Sequence, residues 1–88
     1  MDLKLKDKVA VIGGASKGIG FAIAHTLAAE GARVAIAARQ PAALEAAAQR
    51  LRDETGATVL AVPADCRKAD DCTRVVEAVT QAFGGIDI

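Results

Sequence analysis

Glycines crowd one place in this chain, directly behind a short apolar run. Residues 8–12 read KVAVI, and Gly13-Gly14-Ala15-Ser16-Lys17-Gly18-Ile19-Gly20 follows at once. Behind the glycines, Ile19, Ile23 and Leu27 recur at the i, i+4, i+8 spacing of a helix face. A strand that turns straight into a helix aims the helix's free N–H groups and its positive dipole end into the turn. On this reading Gly14 permits the tight turn. Gly18 lets a phosphate approach the backbone, and Gly20 lets the helix pack hard on the first strand. The spacing G-x-x-x-G-x-G is not a Walker loop, because no Lys-Ser/Thr pair follows Gly18.

The same alternation repeats along the chain. The first helix is expected over 18–30, with Gly31 as its stop. A second strand (33–37, RVAIA) precedes a second helix over 41–55. That helix opens on Pro41, buries Leu44, Ala47, Ala48 and Leu51, and ends before Gly56. A third strand spans 58–62, closed by Pro63. A third helix spans 68–83 with Cys72, Val75, Val76, Val79 and Phe83 on its inner side. Gly84-Gly85 breaks it, and Ile86-Asp87-Ile88 begins a fourth strand. The strands are apolar nearly throughout, as in a parallel sheet covered on both faces. Right-handed crossovers give the order 3-2-1, with the fourth strand due beside the first. The fold class is therefore α/β, one incomplete unit over 1–88. Alanine fills 21 of the 88 positions, which suits helices lying close to a sheet.

Charge excludes several partners. Eleven acids balance eleven bases, so nothing recommends a nucleic acid. No apolar run approaches the roughly 20 residues of a membrane span. Residues 1–8 carry no apolar segment of a secretory signal, which leads us to expect a cytoplasmic protein. Cys66 and Cys72 match no zinc spacing and are expected as small apolar residues, Cys66 ending a strand and Cys72 facing inward. His25 is expected half-exposed on the first helix, without partners. Asp70 and Asp71 are expected as a helix's acidic first turn.

Two side chains beyond strand ends give the glycine loop a ligand. Arg39 follows the second strand and Asp65 the third, and parallel strands bind ligands at that carboxyl edge. An acid at the end of the second strand would accept bonds from a ribose 2′-hydroxyl. Here Ala38 holds that place and Arg39 follows, with Lys17 and Ser16 in the loop. An Arg fork with a Lys suits a phosphate dianion, so the expected cofactor is NADP(H).

Together these segments resemble the classical short-chain dehydrogenase/reductases. Residues 13–20 are similar to the family's T-G-x-x-x-G-[IL]-G. Residues 31–39 (GARVAIAAR) resemble its second strand in the NADP-preferring form. Ala64-Asp65-Cys66 resembles the third-strand ending, and residues 85–88 resemble the G-x-[IL]-D that opens the fourth strand. The resemblance implies a Rossmann-like three-layer fold. It implies that Gly14, Ser16, Lys17, Gly18 and Ile19 line ribose and pyrophosphate, with Gly20 structural. It sets Arg39 and Lys17 against the 2′-phosphate, and Asp65 and Cys66 against the adenine. It implies an oxidoreductase that moves hydride between NADP(H) and a carbonyl or alcohol substrate.

The departures are specific. Gly13 stands where the family has Thr, so a looser loop is expected. Arg67 stands where the family often has a Ser or Thr cap, so the third helix is expected to start late, near Asp70. The family's proton donor is a Tyr in Y-x-x-x-K, and these 88 residues contain no Tyr. The parent is expected to continue past Ile88, and this chain alone is expected to be inactive. Two other readings remain at this point: a stand-alone NADP-binding module, and an interaction module that recruits a second copy along the open edge of the first strand. A homo-oligomer is expected.

Overall fold

The computed structural model describes residues 5–88; the first four residues of the charged N-terminal segment lie outside them. The elements are β1 (Val9–Gly13), α1 (Gly18–Ala29), β2 (Arg33–Ala38), α2 (Pro41–Thr55), β3 (Val59–Pro63) and α3 (Ala69–Phe83). All three strands are parallel, in the order β1-β2-β3, with Ile12 beside Ile36 and Ile36 beside Ala61. This is the expected α/β sheet. Pro63 belongs to β3 rather than closing it. It lies opposite Ala38 on an edge strand, where a missing N–H is tolerated.

β2 is covered on both faces. Val34, Ile36 and Ala38 point into one core with Leu44, Ala48 and Leu51 of α2 and Ala24 and Ala28 of α1. Ala35 and Ala37 point into a second core with Val9, Val62, Val75 and Val79. The layers are thus α1 and α2 on one face, the sheet, and α3 on the other.

Two helix faces differ from the expected ones. On α1 the buried residues are Ala24 and Ala28, whereas Ile19 is 81% exposed and Ile23 48% exposed. Both stripes have the same spacing, one position apart. A Cβ on Gly20 would lie 2.6 Å from the Gly14 carbonyl oxygen, so α1 turns its small residues inward and Ile19 and Ile23 outward. Gly20 therefore packs on the Gly14–Ala15 turn rather than on β1. On α3, Val75 and Val79 are buried and Phe83 half-buried, but Cys72 and Val76 are exposed. Cys72 lies in the first turn beyond the end of β3, where its thiol donates to the Cys66 carbonyl at 3.1 Å. Both cysteines are exposed rather than core residues.

The edge of β1 is only partly as open as expected. Residues 86–88 run beside it: Asp87 N–H and Ile88 N–H donate to the Val9 carbonyl at 2.9 and 3.0 Å. Val11 N–H donates to the Ile88 carbonyl at 3.1 Å. The Asp87 carboxylate also accepts the Val9 N–H at 2.9 Å. The start of the fourth strand thus occupies its place beside β1 and fills the edge from Val9 to Val11. No helix among the described residues is long and apolar enough to cross a membrane.

This packing predicts unequal costs for two apolar truncations. Leu51→Ala, in the core, lowers stability by about 2–5 kcal/mol. Ile23→Ser, on the outer face of α1, changes it by no more than about 0.5 kcal/mol. Urea denaturation midpoints check both; a costly Ile23→Ser would put the wrong face of α1 inside.

Candidate functional site: a cleft at the carboxyl ends of the strands

Three chain segments leave the sheet at the same edge and enclose an open cleft of about 370 Å³. The turn after β1 contributes Gly14, Ser16 and Lys17. The end of β2 contributes Ala38, Arg39 and Gln40. The end of β3 contributes Ala64, Asp65, Cys66 and Arg67. Residues fifty positions apart meet because the strands are parallel and in register.

The first wall is the glycine turn. Gly14 and Gly18 both have φ of +65°, and a Cβ on either would meet nothing within 4 Å. Their conformation, not crowding, calls for glycine. The turn is tied to β2 by Gly14 N–H donating to the Ala37 carbonyl at 2.8 Å. Lys17 is the N-cap of α1 and supplies no side-chain cap. The first-turn N–H groups of α1, which include those of Ile19 and Gly20, have no intrahelical acceptor and suit an anion. Gly18 lines a neighbouring hollow with Ser16, Lys17, Phe21 and Arg50. The Ile19 side chain lines neither.

Gly13 has its own reason. A Cβ there would lie 3.2 Å from the Cys66 Sγ, so the glycine at the end of β1 makes room for the thiol at the end of β3. Burial and the neighbouring Cys72 thiol push the Cys66 thiol up from its ordinary value.

The third wall is held tightly. Asp71 Oδ2, in the first turn of α3, accepts the Asp65 N–H at 2.7 Å. Asp65 Oδ1 accepts the Arg67 N–H and the Arg67 Nε, each at 3.0 Å, and Oδ2 accepts Nη2 at 3.1 Å. Arg67, with a lesser contribution from Arg39, lowers the Asp65 carboxyl to about 2. No side chain caps α3, which starts at Ala69, next to the Asp70 near which it was expected to begin. Asp71 faces back to the Asp65 loop.

Of the residues singled out in the sequence, Gly14, Ser16, Lys17, Arg39, Asp65 and Cys66 line one cleft. Gly18 and Gly20 shape the turn behind it. Gln40 and Arg67 are lining residues that the sequence reading did not place there. The signal for Arg67 was its position two residues after Asp65, the span of an Asx turn. His25 has a partner that only the fold supplies: its Nε2 lies 3.2 Å from Glu54 on α2. It does not line the cleft.

Residues 8–88 match the family described as short chain dehydrogenase. The chain belongs to the short-chain dehydrogenase family. It is 41% identical over 86 residues to an uncharacterised oxidoreductase of Staphylococcus saprophyticus, covering 98% of this chain and 37% of that protein. An L-sorbose reductase from Gluconobacter frateurii, solved with NADPH and L-sorbose, superposes with a TM-score of 0.96 at 45% identity. That match covers 99% of this chain and 33% of the reductase. A family member from Burkholderia phymatum solved with NAD superposes with a TM-score of 0.89 at 32% identity, over 96% of this chain and 30% of that one. The chain thus spans about a third of the length of these short-chain dehydrogenases. Its parallel sheet and helices are the part of the Rossmann-like fold that it shares with these structures.

The Asp65–Arg67 pair sets an acid limb. The folded carboxyl titrates below its ordinary 3.8. Its contribution is therefore complete above about pH 4 and is lost as pH falls through about 2. Asp65→Asn is expected to flatten the stability profile between pH 4 and 2, followed by far-UV circular dichroism. A profile unchanged by the substitution would mean that the pair contributes nothing.

Proposed function

We propose that this chain is the NADP(H)-binding part of a short-chain oxidoreductase that transfers hydride between NADP(H) and a carbonyl or alcohol substrate. The observation that carries the cofactor choice is at the end of β2. Ala38, not an acid, occupies the ribose end of the cleft, and Lys17 and Arg39 line the same cleft. An acid would bond a 2′-hydroxyl and repel a 2′-phosphate, whereas a guanidinium fork and an ammonium favour the dianion.

The residues fit a dinucleotide along the whole cleft. The left-handed turn at Gly14 and Gly18 leaves backbone open to a pyrophosphate, and the uncapped start of α1 offers N–H donors. Ser16 adds a hydroxyl. At the far end, Asp65 presents an acceptor, and the adjacent Cys66 N–H donates to no group among the described residues. Side by side, they match the 6-amino group and N1 of adenine. The nicotinamide nucleotide supplies the hydride when bound. These 88 residues hold its adenine end and contain no Tyr to supply the family's proton. On this reading the chain turns over no substrate unaided, and it works in the cytoplasm.

Isothermal titration tests the choice. NADPH binds about 100-fold more tightly than NADH, on about 1.5–3 kcal/mol for each charge-assisted hydrogen bond to the 2′-phosphate. Arg39→Ala removes most of that difference and leaves NADH binding nearly unchanged. Equal affinity of the unaltered chain for the two nucleotides would overturn the NADP assignment.

A further inference from the structure

We propose that Arg67 is the positioning residue of the adenine site, holding the Asp65 carboxylate so that a single acceptor position remains for an exocyclic purine amine. The inference rests on the nucleotide reading above and extends it to a residue which that reading leaves idle.

The argument is one of valence. A carboxylate offers about four acceptor positions. Arg67 fills three of them: its N–H and Nε on Oδ1, its Nη2 on Oδ2. Among the described residues no other donor reaches this carboxylate. One position on Oδ2 is left. The pairing is the two-pronged fork of Arg and carboxylate, which fixes the plane of the acceptor as well as its place. The main chain at residue 65 is fixed independently. Asp71 accepts its N–H, and Arg74 lies 3.6 Å from Asp71 while donating to the Pro63 carbonyl at 2.7 Å. The carboxylate is 15% exposed and the guanidinium 74% exposed, so Arg67 is not needed to fill a core. Such a site rejects a purine without the amine, because the remaining acceptor is then left unpaired against the ring.

The test uses two probes of the adenine end: adenosine 2′,5′-bisphosphate, and purine riboside 2′,5′-bisphosphate, which lacks only the 6-amino group. Calorimetry gives both affinities for the unaltered chain, Asp65→Ala, Arg67→Ala and Arg67→Lys. The unaltered chain prefers the amino probe about tenfold, the lower end for a hydrogen bond to a charged group. Asp65→Ala abolishes the preference. Arg67→Ala reduces it below about threefold by freeing the carboxylate, and Arg67→Lys does not restore it, because an ammonium cannot make the planar fork. A full preference retained in Arg67→Ala but lost in Asp65→Ala overturns the proposal and spares the adenine site. An equal loss of affinity for both probes in Arg67→Ala also overturns it, since Arg67 would then act by charge alone. A preference that survives Asp65→Ala refutes the adenine site itself.

Discussion

Everything in this structure hangs on burying β2 from both sides. Val34, Ala35, Ile36 and Ala37 are each at most 1% exposed, and their alternation splits them between two cores. The larger side chains face α1 and α2, and the alanines face α3. A strand apolar at every position cannot lie on a one-sided sheet. It needs parallel neighbours and helices above and below, and parallel neighbours need long crossovers. Those crossovers are α1 and α2. The functional edge follows directly: parallel strands end on the same side, so Gly14, Arg39 and Asp65 converge without any other design.

Backbone conformation fixes one end of the cleft, and side-chain hydrogen bonds fix the other. At the glycine turn, the backbone is set by Gly14, by Gly18 and by Gly20 lying beneath the Gly14 carbonyl. At the end of β3, side chains hold the loop: Asp71 accepts from the Asp65 main chain and Arg67 donates to its carboxylate. Lys17 and Arg39 stand between these two anchored walls and are exposed. Around the cleft, rigid geometry in the walls thus sits beside exposed positive charge.

Much of this was legible in the sequence, for physical reasons. Glycines between an apolar strand and a helix, Pro41 at a helix start and Gly56 past its end mark the elements, and strand order follows from crossover handedness. What was not legible needs contacts across the chain. The inner face of α1 could not be chosen from hydropathy, because Ile19-Ile23-Leu27 and Gly20-Ala24-Ala28 have the same spacing. Only Gly20 against the Gly14 carbonyl decides it. Gly13 read as a missing Thr, whereas it faces the Cys66 thiol fifty-three residues later. Arg67 read as a poor helix cap, whereas it pairs with the carboxylate two residues before it. The fourth-strand segment lies beside β1 as expected, and residues 86–88 cover its edge from Val9 to Val11.

The most direct test of the central claim, that this sheet edge is an NADP(H) site, is an amide NMR titration of the ¹⁵N-labelled chain with NADPH. Saturable shifts are expected at Gly14, Lys17, Gly18, Ile19, Arg39 and Cys66, with Val79 and Leu51 unmoved. Shifts centred elsewhere on the molecule, or no saturable shift at the glycine turn, would contradict it.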